Sequence, residues 1–356
     1  MERALGMPSL VLVGGFLGAG KTTLLLAAAQ HLLAARLRPA LILNDQGGDL
    51  VDTRLAQAAG LATEEIAGAC FCCRFSDFVR SAETLIANHP DVILAEPVGS
   101  CMDISATVLR PLKRYYGDRF RIAPFTVLVD PRRCRELLAP GADPRLAYLF
   151  RNQIAEADLV CVSKSDLGDD APEMAGIQAR RISARTGEGI AAWLGEVLDS
   201  GLDSGTRLLD IDYEVYAAAE ASLGWLNWRA ELRLRKGLPP AAVAGPLLDR
   251  LSELLPRAGA SIAHLKLFAR ARTGYIKASV CRNGEEPMVE GHLIARPSRR
   301  HEIVLNLRAA APPEVLEGIV NQAAGELPGS LRILHHQCFR PGKPAPEFRL
   351  SEPSAG

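Results

Sequence analysis

Short, continuous apolar runs recur along the first 200 residues, and each is followed by a segment that favours a helix. The runs predict strands at Ser9–Val13, Ala40–Asn44, Val92–Glu96, Pro124–Asp130 and Leu159–Ser163. The segments between them predict helices, among them Thr22–Ala35, Phe75–Asn88, Ile104–Tyr115 and Asp143–Glu156. Strands that are apolar throughout are typical of a sheet covered by helices on both faces. The alternation therefore predicts an α/β domain, residues 1–200, with a doubly wound, mostly parallel sheet.

The pattern changes after the small, polar segment Asp199–Thr206, which is predicted to be a linker. Apolar strands then alternate with two helices, Pro240–Arg257 and Pro313–Leu327, in an order that resembles a split β-α-β arrangement. Residues 208–340 are therefore predicted to form a smaller α+β domain. The last sixteen residues, 341–356, contain four prolines and are predicted to be a disordered tail.

Composition and charge are those of a globular protein, with 48% hydrophobic and 23% charged residues. The 41 basic and 41 acidic residues give zero formal net charge, which argues against nucleic acid or a membrane as partner. No apolar run approaches the roughly 20 residues that span a bilayer. We expect a cytoplasmic protein, in which the eight cysteines are reduced and serve as buried side chains or metal ligands.

The strand Leu10–Val13 leads directly into the motif G-x-x-x-x-G-K-S/T, and a helix-favouring segment follows. In this context backbone N–H groups surround phosphates, Lys21 places a positive charge on the β/γ oxygens, and the Thr22 hydroxyl can bind Mg²⁺. The predicted nucleotide-binding residues are Gly15, Gly18, Ala19, Gly20, Lys21, Thr22 and Thr23. The alternative is an ordinary glycine-rich turn between a strand and a helix. The context favours a nucleoside triphosphate site and a P-loop NTPase fold.

A second motif, E-x-x-G, ends the predicted strand at Glu96 and continues to Gly99. In a P-loop protein a carboxylate at this place reaches the Mg²⁺ shell, and the glycine amide can sense the γ-phosphate. The motif is short and carries weight only through its position about 75 residues after the phosphate loop.

Two further segments indicate guanine. Ser163, Lys164 and Asp166 follow a strand as S-K-x-D, close to the N/T-K-x-D motif of GTPases. An aspartate here accepts both N1–H and the exocyclic amine of guanine, a donor pair that adenine lacks. Ser183 and Ala184 match the S-A-K/R loop that backs the base. Each segment alone is also compatible with a helix N-cap after a strand, but their order after a phosphate loop favours GTP over ATP.

Three thiols, Cys70, Cys72 and Cys73, lie within four residues as C-x-C-C. In a reducing compartment such a cluster suits a thiophilic metal, although three packed cysteines are the alternative. A tetrahedral ion needs a fourth ligand from elsewhere or from solvent. Cys101, just after Gly99, is a candidate for it and would couple nucleotide state to metal affinity; an unliganded turn residue is the alternative there.

Together these motifs resemble the CobW/HypB/UreG family of P-loop GTPases, and within it the CobW-like metallochaperones. The resemblance covers Leu10 to about Leu198, with a CobW-type C-terminal domain from about Leu208. The segment Gly14–Thr23 is close to the family form G-G-F-L-G-A-G-K-T-T, and Gly68–Cys73 resembles its G-C-x-C-C motif. Glu96–Asp103 resembles the family's E-T-T-G-x-x-x-P region.

The chain departs from the family pattern in three places. Asn44-Asp45-Gln46-Gly47 stands where N-E-F-G is usual, Pro97 and Val98 replace the threonines after the glutamate, and a histidine-rich loop is absent from the sequence. A role linked to cobalamin is a further alternative, which these residues do not themselves indicate.

The resemblance implies a GTPase of low intrinsic turnover that binds Zn²⁺ or Co²⁺ and delivers it to a client metalloprotein through the C-terminal domain. Lys21, Asp45 and Glu96 would be the catalytic residues, with Thr22, Asp45 and Glu96 in the Mg²⁺ shell. A homodimer is one possible oligomeric state. Two rivals are a P-loop kinase for a small molecule with structural cysteines, and a metal buffer whose nucleotide site only stabilises the fold.

Overall fold

The computed structural model describes residues 7–48, 50–168, 178–199 and 201–351. The chain divides into two compact units. The first unit contains Met1–Gln46, Asp52–Ala219 and Lys343–Gly356, and the second contains Gly47–Val51 and Glu220–Gly342.

The chain up to Glu220 alternates strands and helices. Its strands are β1 (Ser9–Gly15), β2 (Pro39–Asp45), β3 (Ala62–Ala67), β4 (Val92–Glu96), β5 (Arg121–Ile122), β6 (Thr126–Val129), β7 (Leu159–Val162) and β8 (Ala179–Arg181). Its α-helices are α1 (Lys21–Ala34), α2 (Val51–Ala58), α3 (Phe75–Ile86), α4 (Arg110–Tyr116), α5 (Pro131–Leu138), α6 (Pro144–Ala155), α7 (Ile190–Asp199) and α8 (Tyr213–Glu220). A π-helical turn, Ser105–Leu109, leads into α4, and Ser165–Leu167 forms a 3₁₀ turn.

The strands of the first unit form one parallel sheet in the order β3-β2-β4-β1-β6-β7-β8, with β5 beside β1. The residues of β1 and β6 are buried throughout, because helices cover both faces of a parallel sheet. The predicted α/β fold with a doubly wound, parallel sheet is confirmed. Since all strands run the same way, the loops after β1, β2, β4 and β7 leave the sheet at one edge.

The second unit is built on an antiparallel sheet with two helices. Its elements are β9 (Gly224–Leu238), α9 (Pro240–Arg257), β10 (Ser261–Ala271), β11 (Gly274–Val280), β12 (Met288–Gly291), β13 (Ser298–Ala310), α10 (Pro313–Gly325) and β14 (Ser330–Phe339). The strand order is β12-β11-β10-β13-β9-β14. Alternate residues of β9, such as Trp228 and Leu232, pack in one core with Leu251 of α9 and Val320 of α10. The predicted α+β class is confirmed.

The short segment Gly47–Val51 belongs to the second unit, although it follows β2 of the first. The backbone N–H of Val51 donates to Asn306 Oδ1 of β13 at 3.0 Å. A Cβ added to Gly47 would lie 1.5 Å from Asn227 Nδ2 of β9, so only glycine fits there without rearrangement.

The domain boundaries differ from those expected from the sequence. The first unit continues through the expected linker to Ala219, because α8 packs within it: the Tyr213 hydroxyl donates to Asp103 Oδ2 at 2.7 Å. The expected disordered tail is also different. Residues 343–351, here called the C-terminal arm, contact the first unit, for example through Leu350 N–H and the Ala106 carbonyl oxygen at 2.9 Å. Residues 352–356 lie outside the described residues.

Within the described part of the chain, none of the helices combines the length and the apolar character that a bilayer crossing requires.

Candidate nucleotide and thiol site

The loop between β1 and α1 has the geometry that its glycines predict. Gly18 and Gly20 have positive φ angles of 79° and 92°, which residues with a Cβ rarely adopt. Lys21 is buried, and its Nζ donates to the Gly15 carbonyl oxygen at 2.9 Å. A Cβ at Gly15 would lie 2.5 Å from the Leu128 carbonyl oxygen on β6, so glycine is required there as well. The loop thus encloses the lysine at the N-terminus of α1.

Glu96, at the end of β4, contacts the same loop. The Thr22 hydroxyl donates to Glu96 Oε2 at 2.7 Å, and Lys21 Nζ lies 3.7 Å from Glu96 Oε1. A Cβ added to Gly99 would come within 3.1 Å of Lys21 Nζ and 2.8 Å of Leu17. The structure therefore brings both ends of the E-x-x-G motif against the phosphate loop.

A side chain that the sequence analysis missed fixes the continuation of this loop. Gln153, buried on α6, donates through Nε2 to the carbonyl oxygens of Gly99 and Cys101 at 3.0 and 2.9 Å. Cys101 N–H closes a turn on the Val98 carbonyl oxygen at 2.9 Å. A glutamine on an amphipathic helix gives no local signal for this role, because its partners are 54 and 52 residues away.

The two guanine segments meet after β7 and β8. Ser183 is fully buried, and its hydroxyl donates to Asp166 Oδ1 at 2.7 Å while accepting the Thr186 N–H at 3.1 Å. Ser163 lies directly after β7, and Ala184 follows Ser183 in the loop after β8. Lys164 has φ 58°. The Asp166 carboxylate thus accepts the Ser183 hydroxyl at one oxygen, and Arg185 Nη1 lies 4.0 Å from the other.

Lys164 pairs with an aspartate that the sequence analysis did not single out. Its Nζ donates to Asp130 Oδ2 at 2.7 Å, at the end of β6. Asp130 also caps α5, because its Oδ1 accepts the N–H groups of Arg132 and Arg133. The D-P sequence that begins α5 is the local signal that could have identified the cap.

The cysteine loop leaves the sheet after β3 and ends at α3. Asn44, in the neighbouring β2, holds the loop at two points: its Nδ2 donates to the Ala69 carbonyl oxygen at 2.7 Å, and its Oδ1 accepts the Phe71 N–H at 3.0 Å. The same Nδ2 also donates to the Ile66 carbonyl oxygen of β3 at 2.9 Å. The sequence identified Asn44 only as the last residue of a predicted strand and the first residue of N-D-Q-G. Its side chain thus anchors the loop that carries the three thiols to β2.

The three thiols of this loop converge. The Sγ atoms of Cys70, Cys72 and Cys73 all lie within 4.8 Å of one another, and Cys70 and Cys72 are buried. Cys101 lies outside this group of three, but its thiol is hydrogen-bonded to the Cys70 sulfur.

The thiols share their protons unevenly. The hydrogen bonds that Cys70 shares with the thiols of Cys101, Cys72 and Cys73 hold the pKa of Cys70 well below its usual value. The contact with Cys70 raises the pKa of Cys72 and raises that of Cys73 to about 12. A cation that replaces the shared protons would be held by several thiolates.

Asp45 is the last residue of β2 and leaves the sheet at the same edge. On one side β2 pairs with β4, and Leu43 of β2 lies opposite Glu96 of β4. Asp45 lies two positions beyond Leu43 in β2. Its carbonyl oxygen accepts the N–H of Gly68, at the start of the cysteine loop, at 3.2 Å. Asp45 is therefore tied to the thiol loop through the backbone.

Comparison with known proteins gives a family match and two curated relatives. The model of the CobW/HypB/UreG nucleotide-binding domain matches residues 9–189. The zinc chaperone YeiR of Escherichia coli K12 is 30% identical over 162 residues, which cover 44% of this chain and 46% of YeiR. The zinc chaperone CobW of a Sinorhizobium species is 30% identical over 204 residues, 49% of this chain and 55% of that protein. The chain thus spans about half the length of the curated relatives it matches.

Among solved structures, HypB from Helicobacter pylori in complex with nickel is similar over 54% of this chain and 86% of its own, with 14% identity and a TM-score of 0.40. The family match is the stronger finding, because it extends over more than half of the chain, from β1 to the loop after β8, and includes the phosphate loop, the thiols and both guanine segments. The chain belongs to the CobW/HypB/UreG family of P-loop GTPases.

Proposed function

We propose that the chain is a GTPase of low intrinsic turnover that carries a transition metal on Cys70, Cys72 and Cys73 and delivers it to a client metalloprotein. One observation carries the proposal: the loop from Glu96 to Cys101 joins the two sites. Its first residue accepts the hydrogen bond from Thr22, and its last residue contacts the Cys70 sulfur. A change at the γ-phosphate would therefore reach the thiols through a single short loop.

GTP would lie along the phosphate loop. The N–H groups from Gly15 to Thr23 would surround its phosphates, and Lys21 would neutralise charge on the β/γ oxygens as it develops. The Gly99 amide would sense the γ-phosphate, which is supported by the closeness of this position to Lys21. Positioning and charge neutralisation are the main sources of catalysis in such a site, because no covalent intermediate with the protein is needed.

Mg²⁺ fits the donor set beside the loop. The Thr22 hydroxyl and the Glu96 carboxylate already converge at 2.7 Å, and hard oxygen ligands of this kind are those that Mg²⁺ prefers. Thr22 would bind the ion, with Glu96 and Asp45 in its shell or orienting the attacking water. The ion would supply neutralisation of the phosphate charge.

Guanine would be selected by Asp166, whose two carboxylate oxygens can accept N1–H and the exocyclic amine. The bond from Ser183 supports this role, since it holds the carboxylate in place before the base arrives. Lys164 would cover the base from one side, and the amides near Ala184 would bind its carbonyl oxygen.

The cargo would be a thiophilic cation, Zn²⁺ or Co²⁺. Zn²⁺ is supported by two relatives, both of which are zinc chaperones. Cys101 would supply the fourth thiolate, because its sulfur already contacts Cys70. Four thiolates complete a tetrahedral site, and withdrawal of Cys101 with its loop would open it for transfer.

The second unit would recognise the client. The segment Gly47–Val51 supports this role, because it directly follows Asp45 and Gln46 and yet is part of the second unit, bonded to Asn306. Any movement of Asp45 on GTP binding or hydrolysis would pull on that unit through the peptide chain itself.

The test is a pair of measurements on one protein preparation: phosphate release from GTP and from ATP, and Co²⁺ binding followed by thiolate-to-metal absorption. The proposal predicts hydrolysis of GTP and loss of the absorption in the Cys70→Ser/Cys72→Ser/Cys73→Ser variant. Preference for ATP with transfer to a small acceptor would identify a kinase instead. Thiol-dependent binding without hydrolysis would identify a metal buffer.

A further inference from the structure

The C-terminal arm approaches the thiol loop at two points. The Ala345 N–H donates to Cys73 Sγ at 3.2 Å, and the Glu347 N–H donates to the Cys72 carbonyl oxygen at 3.0 Å. Both partners belong to the C-x-C-C motif, and both arm residues belong to the first unit. The C-terminal arm therefore forms part of the wall around the thiols.

The sequence of the arm prepares it for this contact. Ala345 lies between Pro344 and Pro346, and a proline has no N–H, so Ala345 supplies the one amide donor of the triplet. A residue before proline is also confined to extended conformations. The arm thus loses little conformational entropy when it orders, and the amide it presents is aimed at a sulfur.

The rest of the arm is anchored along the first unit. The Glu347 carboxylate accepts the Ser76 N–H at 3.1 Å at the start of α3, and the Phe348 ring packs on Phe75 with 5.3 Å between centroids. Arg349 Nε donates to Asp103 Oδ2 at 2.8 Å. Asp103 lies two residues after Cys101, so the arm touches both loops that carry thiols.

We propose that the C-terminal arm is part of the metal site, with the Ala345 N–H bonded to the thiolate of Cys73 when a thiophilic cation is held there, and that it slows release of that cation. The inference rests on the proposed thiol site. An N–H donor stabilises a metal-bound thiolate because it disperses negative charge without competing for the cation. Release to a client then requires the arm to leave, which makes the arm a barrier between loading and delivery.

The test measures Zn²⁺ dissociation from the full-length protein into an excess of a chromogenic chelator. Ala345→Pro removes the donor and keeps an extended backbone, whereas Ala345→Ser keeps the N–H and is the matched control. We expect about tenfold faster dissociation for Ala345→Pro, typical of a lost outer-shell partner, and a wild-type rate for Ala345→Ser. Phe348→Ala, which weakens the anchor on Phe75, should accelerate release in the same direction.

A wild-type dissociation rate in Ala345→Pro overturns the proposal, as does equal acceleration in Ala345→Ser. The Cys70→Ser/Cys72→Ser/Cys73→Ser variant separates this failure from failure of the thiol site. If the wild type binds Zn²⁺ no better than that variant, the thiol site itself is wrong, and the arm proposal falls with it. Unchanged affinity for a GTP analogue in Ala345→Pro shows that the substitution leaves the fold intact.

Discussion

The Thr22 hydroxyl donates a 2.7 Å hydrogen bond to Glu96 Oε2, although 74 residues separate them in the chain. This contact fixes the end of β4 against the start of α1, and Lys21 Nζ lies 3.7 Å from the same carboxylate. The phosphate loop and the loop that follows Glu96 are therefore in direct contact. The proposed coupling between nucleotide and metal depends on this relationship.

Removal of the Lys21 charge should abolish GTP hydrolysis. In Lys21→Ala the loop loses the cation that neutralises the β/γ oxygens, and a charge-assisted contact of this kind is worth about 1.5–3 kcal/mol in binding alone. We expect GTP to bind at least about tenfold more weakly, with phosphate release at background. Lys113→Ala is the control, since Lys113 bonds to Asp203 and Ser204 instead of the loop. Wild-type turnover in Lys21→Ala would contradict the assignment.

Asp166 should determine the choice of base. Asp166→Asn replaces one acceptor by a donor, so GTP should bind about 100-fold more weakly and the preference over ATP should narrow. The same variant should gain affinity for xanthosine triphosphate, in which a carbonyl oxygen replaces the exocyclic amine and can accept the new N–H. Competition binding with the three nucleotides measures both effects. Equal competition by ATP and GTP in the wild type would show that the guanine assignment is wrong.

Cys101 should contribute to metal affinity without being part of the C-x-C-C motif. Cys101→Ser keeps the size of the side chain but removes the fourth thiolate, so Zn²⁺ should bind about tenfold more weakly or worse. Cys338→Ser is the matched control, because Cys338 belongs to the second unit and bonds to the Pro313 carbonyl oxygen. Chelator competition gives the affinities. Identical values for wild type and Cys101→Ser would leave the site with three protein ligands.

Glu156 should make stability depend on pH. It is buried, its Oε2 accepts the Ser105 N–H at 3.2 Å, and its Oε1 has no hydrogen-bond partner among the described residues. Burial raises the pKa of this carboxyl well above its usual value, and the nearby Asp103 carboxylate raises it further. A raised pKa means that the folded state favours the protonated form. The associated stability is present below the unfolded pKa and is lost as the pH rises towards the folded value.

Glu156→Gln keeps a neutral group of the same shape at every pH. Its melting temperature should therefore exceed that of the wild type by a margin that grows between about pH 5 and pH 8. Thermal denaturation across this range checks the prediction, with the exposed Glu286→Gln as control. A margin that does not change with pH would mean that Glu156 ionises as readily in the folded state as in the unfolded one.

The sequence predicted the elements whose signals are local. Each of these signals lies within a short stretch of sequence. They are the phosphate loop, apolar strands such as β1 and β4, and the thiol cluster. The strand β3 was missed because Ala62–Ala67 contains Thr-Glu-Glu and lies at the sheet edge, where polar side chains are tolerated. Edge strands lack the continuous apolar run that identified the central ones.

Most contacts between distant segments could not be predicted, and the approach of Cys101 to the thiols was foreseen only as one of two alternatives. The proline-rich composition of the arm predicted disorder. Composition gives no information about the contacts with Ser76, Asp103 and the thiol loop that order the arm. The proximity of Cys101 to Cys70 and the anchoring role of Asn44 arise from strand order in the sheet. The sequence alone does not state that β2 lies between β3 and β4.

The central claim is that nucleotide state and metal affinity are coupled. The cysteine loop is tied to Asp45 through the Gly68 N–H and to the loop after Glu96 through Cys101. Linkage requires that metal change nucleotide affinity by the same factor by which nucleotide changes metal affinity. The Cys70→Ser/Cys72→Ser/Cys73→Ser variant should lose metal binding and coupling while it keeps basal GTP binding.

The most direct measurement is a Zn²⁺ titration, with a competing chelator, of the protein saturated with Mg²⁺-GDP and with a non-hydrolysable GTP analogue. A typical coupling of about 1–3 kcal/mol predicts affinities that differ by about 5- to 150-fold between the two states. Two superimposable titration curves would contradict the account, because the thiols and the phosphate loop would then be neighbours without being a switch.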